Sequence, residues 1–159
     1  MELLRVSWGG ASRMCERLAL QVKSSGFSPD TIIGVSRGGL VPARLLSDIM
    51  DVGDLQVIRV SFYKGMGKTM EFPQLTQQLT TRIDGKRALL VDDVSDTGRS
   101  LKVAKDHLMR MGATEIKVAT LHFKPHSKFR PDFFVEETKS WLVYPWERNE
   151  CSRELGRKV

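Results

Sequence analysis

Two short runs hold side chains whose types and spacing could do chemistry: Ser36-Arg37-Gly38-Gly39, and Asp92-Asp93-Val94-Ser95-Asp96-Thr97-Gly98-Arg99-Ser100. The second follows an apolar run, Ala88 to Val91, and leads into a helical pattern. A helix N-terminus offers unpaired N–H groups and the positive end of a dipole, so it stabilises a phosphate without a buried cation. Thr97 and Ser100 add hydroxyl donors, and Gly98 lets the backbone come close. Asp92 and Asp93 repel each other unless something shares their charge, and the hydroxyls of a sugar or a divalent cation would do so. The combination suits a sugar phosphate. The bland alternative is that Asp96 merely caps the helix. Aspartic proteases also use Asp-Thr-Gly, but an apolar strand followed by an amphipathic helix does not suit an all-β protease.

These runs must be positioned by the elements around them. Ala11, Cys15, Leu18, Ala19 and Val22 recur at helical spacing, which predicts a helix from about Gly10 to Lys23, ended by Gly26. Thr31 to Val35 is β-branched without polar alternation, as in a parallel strand buried on both faces. A second helix carries Leu40, Ala43, Leu46, Ile49 and Met50, with Pro42 tolerated in its first turn. Leu55 to Val60, Ala88 to Val91, Ile116 to Phe123 and Phe133 to Glu136 read as further strands, and Leu101, Ala104, Leu108 and Met111 mark a third helix closed by Gly112. The polar stretch Lys64 to Thr81 has no convincing period and reads as a long loop of the kind that forms lids. This order predicts one α/β domain over 1–159, with a mainly parallel sheet flanked by helices. Ligands of such domains bind at the carboxyl ends of the strands, where both reactive runs fall.

Composition narrows the classes. The chain has 159 residues, 41% hydrophobic and 28% charged, enough for one core and too apolar for disorder. No apolar run approaches the ~20 residues needed to span a bilayer, and Met1 to Gly10 lacks a secretory pattern. A cytoplasmic protein is expected, with Cys15 and Cys151 as free thiols. The net charge of +6 favours an anionic partner without choosing among nucleic acid, membrane surface and phosphorylated metabolite. His107, His122 and His126 have no metal-like spacing and receive no role.

The run Leu89 to Ser100 resembles the phosphoribosyl pyrophosphate (PRPP) signature of type I phosphoribosyltransferases: a hydrophobic strand, two acidic residues, two more residues, then Asp-Thr-Gly and a hydroxyl residue. Ser36-Arg37-Gly38-Gly39-Leu40-Val41-Pro42 resembles the pyrophosphate loop of the bacterial xanthine-guanine enzymes. Trp141-Leu142-Val143-Tyr144-Pro145-Trp146-Glu147 is similar to their purine-binding end, and Val6-Ser7-Trp8 to their N-terminus.

The resemblance implies a 6-oxopurine phosphoribosyltransferase with a flexible lid loop and a small C-terminal base-binding hood. It would consume PRPP and a purine base, release pyrophosphate and a nucleoside monophosphate, and use magnesium (Mg2+). Arg37 and Gly38 would meet pyrophosphate, with a cis peptide expected at Ser36–Arg37. Asp92 and Asp93 would meet the ribose hydroxyls and the magnesium, Asp93 being the metal ligand, and Val94, Ser95, Asp96, Thr97, Gly98, Arg99 and Ser100 would complete the PRPP site. Asp96 matches the catalytic residue that accepts a purine proton. Lys124 would donate to the 6-oxo group, Trp141 would stack on the base and Leu142 would contact it through its backbone. Lys64 and Lys68 are lid candidates. Glu147 stands where the bacterial enzymes commonly have Asp, which alters reach to the 2-position of the base. A homodimer or homotetramer is implied, with no nucleic acid and no membrane partner. Two other readings stay open: a PRPP-sensing regulator that binds nucleic acid, and a transferase for adenine or a pyrimidine.

Overall fold

The computed structural model describes residues 2–64, 66–67 and 71–159. Two apolar layers sandwich a six-stranded sheet, and its central strands are apolar on both faces because each face has its own core. Along β2 (Thr31–Ser36) and β5 (Arg87–Ser95), Ile32, Leu89 and Val91 face one cluster with Leu18, Val22 and Leu46. The alternate residues Ile33, Val35 and Leu90 face the other cluster with Leu101, Ala104 and Leu108. A period of two with both sides buried is what leaves no polar alternation in the sequence.

The first cluster is covered by α1 (Trp8–Ser24) and α2 (Leu40–Ile49). Ser7 starts α1 by accepting a hydrogen bond from the Gly10 amide at 3.0 Å, and Ala11, Met14, Cys15, Leu18, Ala19 and Val22 form its buried stripe. The second cluster is covered by α3 (Arg99–Arg110).

With β3 (Leu55–Lys64), β4 (Glu71–Gln77), β6 (Glu115–Phe123) and β7 (Phe133–Glu137), the sheet order is β4-β3-β2-β5-β6-β7. Every pairing is parallel except β3 with β4. From β2 the chain moves to one side to form β3, then returns to build β5 and β6 on the other. The point of reversal lies between β2 and β5, whose register pairs Gly34 with Val91. Doubly wound sheets open a crevice there, at the carboxyl ends.

The stretch Lys64 to Thr81 is not the structureless loop that its lack of period suggests. Lys64 ends β3, and Glu71–Gln77 forms the edge strand β4, pairing Val60 with Leu75 and Lys64 with Glu71. Lys68 lies outside the described residues. Three short elements unforeseen from sequence bring the two ends of the chain together. β1 (Leu3–Arg5) pairs in parallel with β8 (Trp141–Val143), and α4 (Arg148–Glu154) packs Cys151 against Val143 and Val159. They form the small hood. Cys15 and Cys151 are both buried free thiols. Among the described residues no helix is long and apolar enough to cross a membrane.

Candidate active site

The loop after β2 and the end of β5 are in direct contact. The Ser36–Arg37 peptide is cis, and the Gly39 amide closes the turn on the Val35 carbonyl at 2.8 Å. A Cβ on Gly38 would sit 2.4 Å from Asp93 Oδ2, and one on Gly39 would sit 2.4 Å from the Val91 carbonyl oxygen. Glycine is required because the loop backbone lies against the Asp93 carboxyl and the Val91 carbonyl. The Arg37 guanidinium leaves this loop to meet Glu150 on α4, with Nη2 donating to both carboxylate oxygens at 2.7 and 2.9 Å.

β5 runs four residues past its apolar stretch, so Asp92 to Ser95 are strand residues rather than turn residues. Asp92 Oδ1 accepts from the Asp93 amide at 3.0 Å. Asp93 Oδ1 accepts from the Val94 amide at 2.8 Å, and its Oδ2 accepts from Trp146 Nε1 at 3.3 Å. Burial and then the charge of Asp93 hold the Asp92 carboxyl well above the usual carboxylate range. Burial also raises Asp93, against the hydrogen bonds from Trp146 and Val94. Glu147, nearby, is pushed up to about 7 by burial and by Asp93. Crowded carboxyls whose ionised forms are disfavoured by burial fit a hard cation, and magnesium needs only one or two protein carboxylates. Among the described residues no group of three or more candidate ligands is placed to hold a metal by itself, so Asp93 and Asp92 could do so together with water or ligand oxygens.

Beyond Ser95 the chain turns into α3. The cap position is Gly98, at φ +80°, which has no side chain to make a capping hydrogen bond. Asp96 therefore does not serve as the helix cap. Its Oδ1 instead lies 2.8 Å from His126 Nε2, a contact that connects the turn after β5 to the turn after β6 and that sequence reasoning missed. The exposed side chain of Thr97 accepts from the Arg99 amide at 3.4 Å. A cleft of about 320 Å³ lies over this turn, lined by Asp92, Val94, Asp96, Thr97, Ser100 and Phe62. Ser95 and Arg99 also line the cleft, but their side-chain donors are already engaged by the protein. The Ser95 hydroxyl is buried and donates to the Phe129 carbonyl at 2.7 Å, while the Arg99 guanidinium donates to the Glu71 carbonyl and lies 5.3 Å from the Phe62 ring centroid. Arg99 thereby joins α3 to the β3–β4 hairpin. Lys64 is on that hairpin, exposed, with Nζ 3.8 Å from Glu71 Oε1.

The hood supplies the other wall. Lys124 follows β6, is 7% exposed, and directs Nζ to the Ser140 carbonyl, while its amide donates to the Ser95 carbonyl at 3.0 Å. Leu142 is buried and Trp141 is 42% exposed beside it. Tyr144 is fully buried, stacks on Trp146 at 4.8 Å between centroids, and donates its hydroxyl to the Asp93 carbonyl at 2.9 Å. His122 Nδ1 meets the same hydroxyl at 2.7 Å. A chain of hydrogen bonds thus runs from β6 through the hood to the acidic pair. The signal for His126 was available: it lies two residues past Lys124, at the carboxyl end of a strand. A wider groove of about 480 Å³, between α1 and the end of α2, holds Leu20, Phe27 and Val52. It opens at the amino ends of β2 and β3, the end of the sheet where ligands of this architecture do not bind.

The phosphoribosyl transferase domain family matches residues 7–149. A xanthine-guanine phosphoribosyltransferase of Idiomarina loihiensis is 31% identical over 145 residues, covering 89% of this chain and 85% of the relative. Among solved structures, a purine phosphoribosyltransferase from Pyrococcus horikoshii superposes with a TM-score of 0.83 at 41% identity, covering 92% of this chain and 94% of the other. A xanthine-guanine-hypoxanthine phosphoribosyltransferase from Helicobacter pylori, at 20% identity and a TM-score of 0.80, shares the fold over 96% of this chain and 99% of its own.

Proposed function

The chain belongs to the phosphoribosyl transferase domain family, and from that premise we propose that it transfers the phosphoribosyl group of PRPP to N9 of a 6-oxopurine, releasing pyrophosphate. The observation that carries this reading is the seating of the Arg37–Gly38 loop on Asp93 at the β2–β5 crevice. It brings an anion-binding loop against the carboxyls that sugar hydroxyls would meet.

In this reading the uncapped start of α3, with Asp96 to Ser100, holds the 5′-phosphate, since amide groups not taken by a side chain remain for an anion. Asp92 and Asp93 accept from the ribose hydroxyls. Arg37 takes the pyrophosphate in its planar fork, exchanging one bidentate anion, Glu150, for another. Asp93, with Asp92, would hold magnesium, which when bound neutralises charge on the pyrophosphate. The bond between C1′ and the pyrophosphate oxygen breaks as the purine nitrogen attacks, and Asp96 takes the ring proton. An ammonium has three N–H donors, and the Ser140 carbonyl fixes Lys124 through one of them. The others are free for the 6-oxo oxygen. Adenine presents an amino group there and leaves that donor unmet. Trp141 covers the face of the base.

The reading places the protein in the cytoplasm, as a homodimer or homotetramer. Its test is a base panel in which PRPP and magnesium are supplied with guanine, xanthine, hypoxanthine, adenine, orotate and uracil in turn, and the nucleotide formed is identified by mass. Nucleotides from 6-oxopurines, abolished by chelation of magnesium, are expected. PRPP binding without any nucleotide would instead point to a PRPP sensor.

A further inference from the structure

Asp96 is an exposed carboxylate on a turn, and an isolated exposed contact with another side chain would be weak. The His126 side chain is exposed as well, and what distinguishes the pair is the backbone that carries it. The turn after β6 is fastened to the turn after β5 along its length. The Lys124 amide donates to the Ser95 carbonyl at 3.0 Å and the Lys128 amide to the Thr97 carbonyl at 3.2 Å. The Ser95 hydroxyl donates to the Phe129 carbonyl at 2.7 Å and lies 2.9 Å from Ser127 Oγ. The two turns approach so closely that a Cβ on Gly98 would sit 2.4 Å from Phe129 Cβ and 2.7 Å from the Phe129 nitrogen. His126 stands in the middle of this fastened segment, and the backbone that carries it is fixed relative to Asp96.

We propose that His126 is a positioning residue for the proton-accepting carboxylate: by holding Asp96 Oδ1 it turns Oδ2 toward the purine ring and keeps the carboxylate away from the start of α3. This rests on the reading of Asp96 under Proposed function. An ionised carboxylate can only accept, so the imidazole donates from Nε2. The terminal torsion of an aspartate is broad and roughly two-fold, so an unheld carboxylate samples many orientations. It also competes for helix amides, as aspartates ahead of a helix commonly do. One donor at 2.8 Å removes both freedoms. The α3 amides after Arg99, whose own amide meets Thr97, stay open for phosphate while one carboxylate oxygen stays open for the proton. During transfer the ring proton passes to Oδ2, the N9–C1′ bond forms and pyrophosphate departs with the electrons of its C1′–O bond. His126 keeps its own proton throughout.

The test measures pyrophosphate release from PRPP and guanine by the wild type, His126→Ala, His126→Gln, Asp96→Asn and the double variant Asp96→Asn with His126→Ala. A glutamine amide places an N–H donor where Nε2 stood. We expect His126→Ala to lower kcat about 10-fold, at the modest end of what a displaced proton acceptor costs, with the KM for PRPP within about 2-fold. His126→Gln recovers most of the loss. Added to Asp96→Asn, the alanine costs less than about 2-fold, because the group it positions is already gone. Unchanged kcat in His126→Ala, equal losses in the alanine and glutamine variants, or additive losses in the double variant would each overturn the assignment. A wild type that turns over no 6-oxopurine defeats the functional reading itself, and the assignment with it. A fully active wild type with an indifferent His126 defeats only the latter.

Discussion

The phosphate side of the crevice and its base side face each other, yet they are built by different means. The phosphate side is two contiguous runs whose backbones do the work: Gly38 and Gly39 lie on Asp93 and Val91, and Gly98 lies against Phe129. The base side is gathered from distant segments. Lys124 is tied to the Ser140 carbonyl, the Trp141 amide to the Glu2 carbonyl, and Tyr144 to Asp93. Backbone-built sites tolerate no added atom, whereas side-chain-built sites can lose one contact and keep the rest. Four substitutions sharpen or break that contrast.

The largest effect is expected from Gly38→Ala. Its methyl carbon would fall within 2.7 Å of all three terminal atoms of the Asp93 carboxyl group, and the loop or that carboxyl must shift. Turnover should fall roughly 100-fold, the scale of an ångström-level misplacement, with PRPP binding weakened in calorimetry. Wild-type PRPP affinity in this variant would break the contrast. Lys124→Met removes one donor from the base side. The KM for a 6-oxopurine should rise about 10-fold or more, with PRPP affinity unchanged and discrimination against adenine reduced. A parallel loss of PRPP affinity would mean that the two sides are not separable.

The third prediction concerns the link between them. His122, buried under the hood against Tyr144, is held down to about 4 by burial, against 6.5 in the unfolded chain. Between those values the unfolded chain binds a proton that the folded protein does not, so folding stability is complete above about pH 6.5, falls as pH drops through the window, and levels off below about 4. His122→Asn keeps a partner for the Tyr144 hydroxyl but cannot titrate. Urea midpoints of the two proteins should converge or cross as pH falls from 6.5 toward 4, through relative loss by the wild type, and parallel curves would contradict the coupling. The smallest effect is that of Glu150→Gln. Exposed ion pairs are worth ~0.2–1 kcal/mol, so freeing Arg37 should tighten PRPP binding by a factor between about 1.4 and 5. Weaker binding would mean that Glu150 prepares the guanidinium rather than competing for it.

The same contrast explains what could be read in the sequence. Strands buried on both faces announce themselves, and a contiguous motif such as Asp92 to Ser100 keeps its spacing wherever the fold carries it. Strand β4 did not, for a physical reason: as an edge strand it is largely exposed on both faces and includes Pro73, so it has neither alternation nor an apolar run. β1 spans three residues and α4 seven, too few for a period to emerge. The contacts of Asp96 with His126 and of Arg37 with Glu150 span 30 and 113 residues of sequence. Each is set by how turns are docked in space, which no local pattern encodes. The cis peptide at Ser36–Arg37 was expected only through the family resemblance.

The most direct measurement is the initial rate of pyrophosphate release from PRPP and magnesium with guanine, xanthine or hypoxanthine, for the wild type and Asp96→Asn side by side. Turnover on at least one of these bases, falling about 100-fold or more in the variant while PRPP binding persists, is the predicted result. Equal rates in the two proteins, or no release with any base, would contradict it.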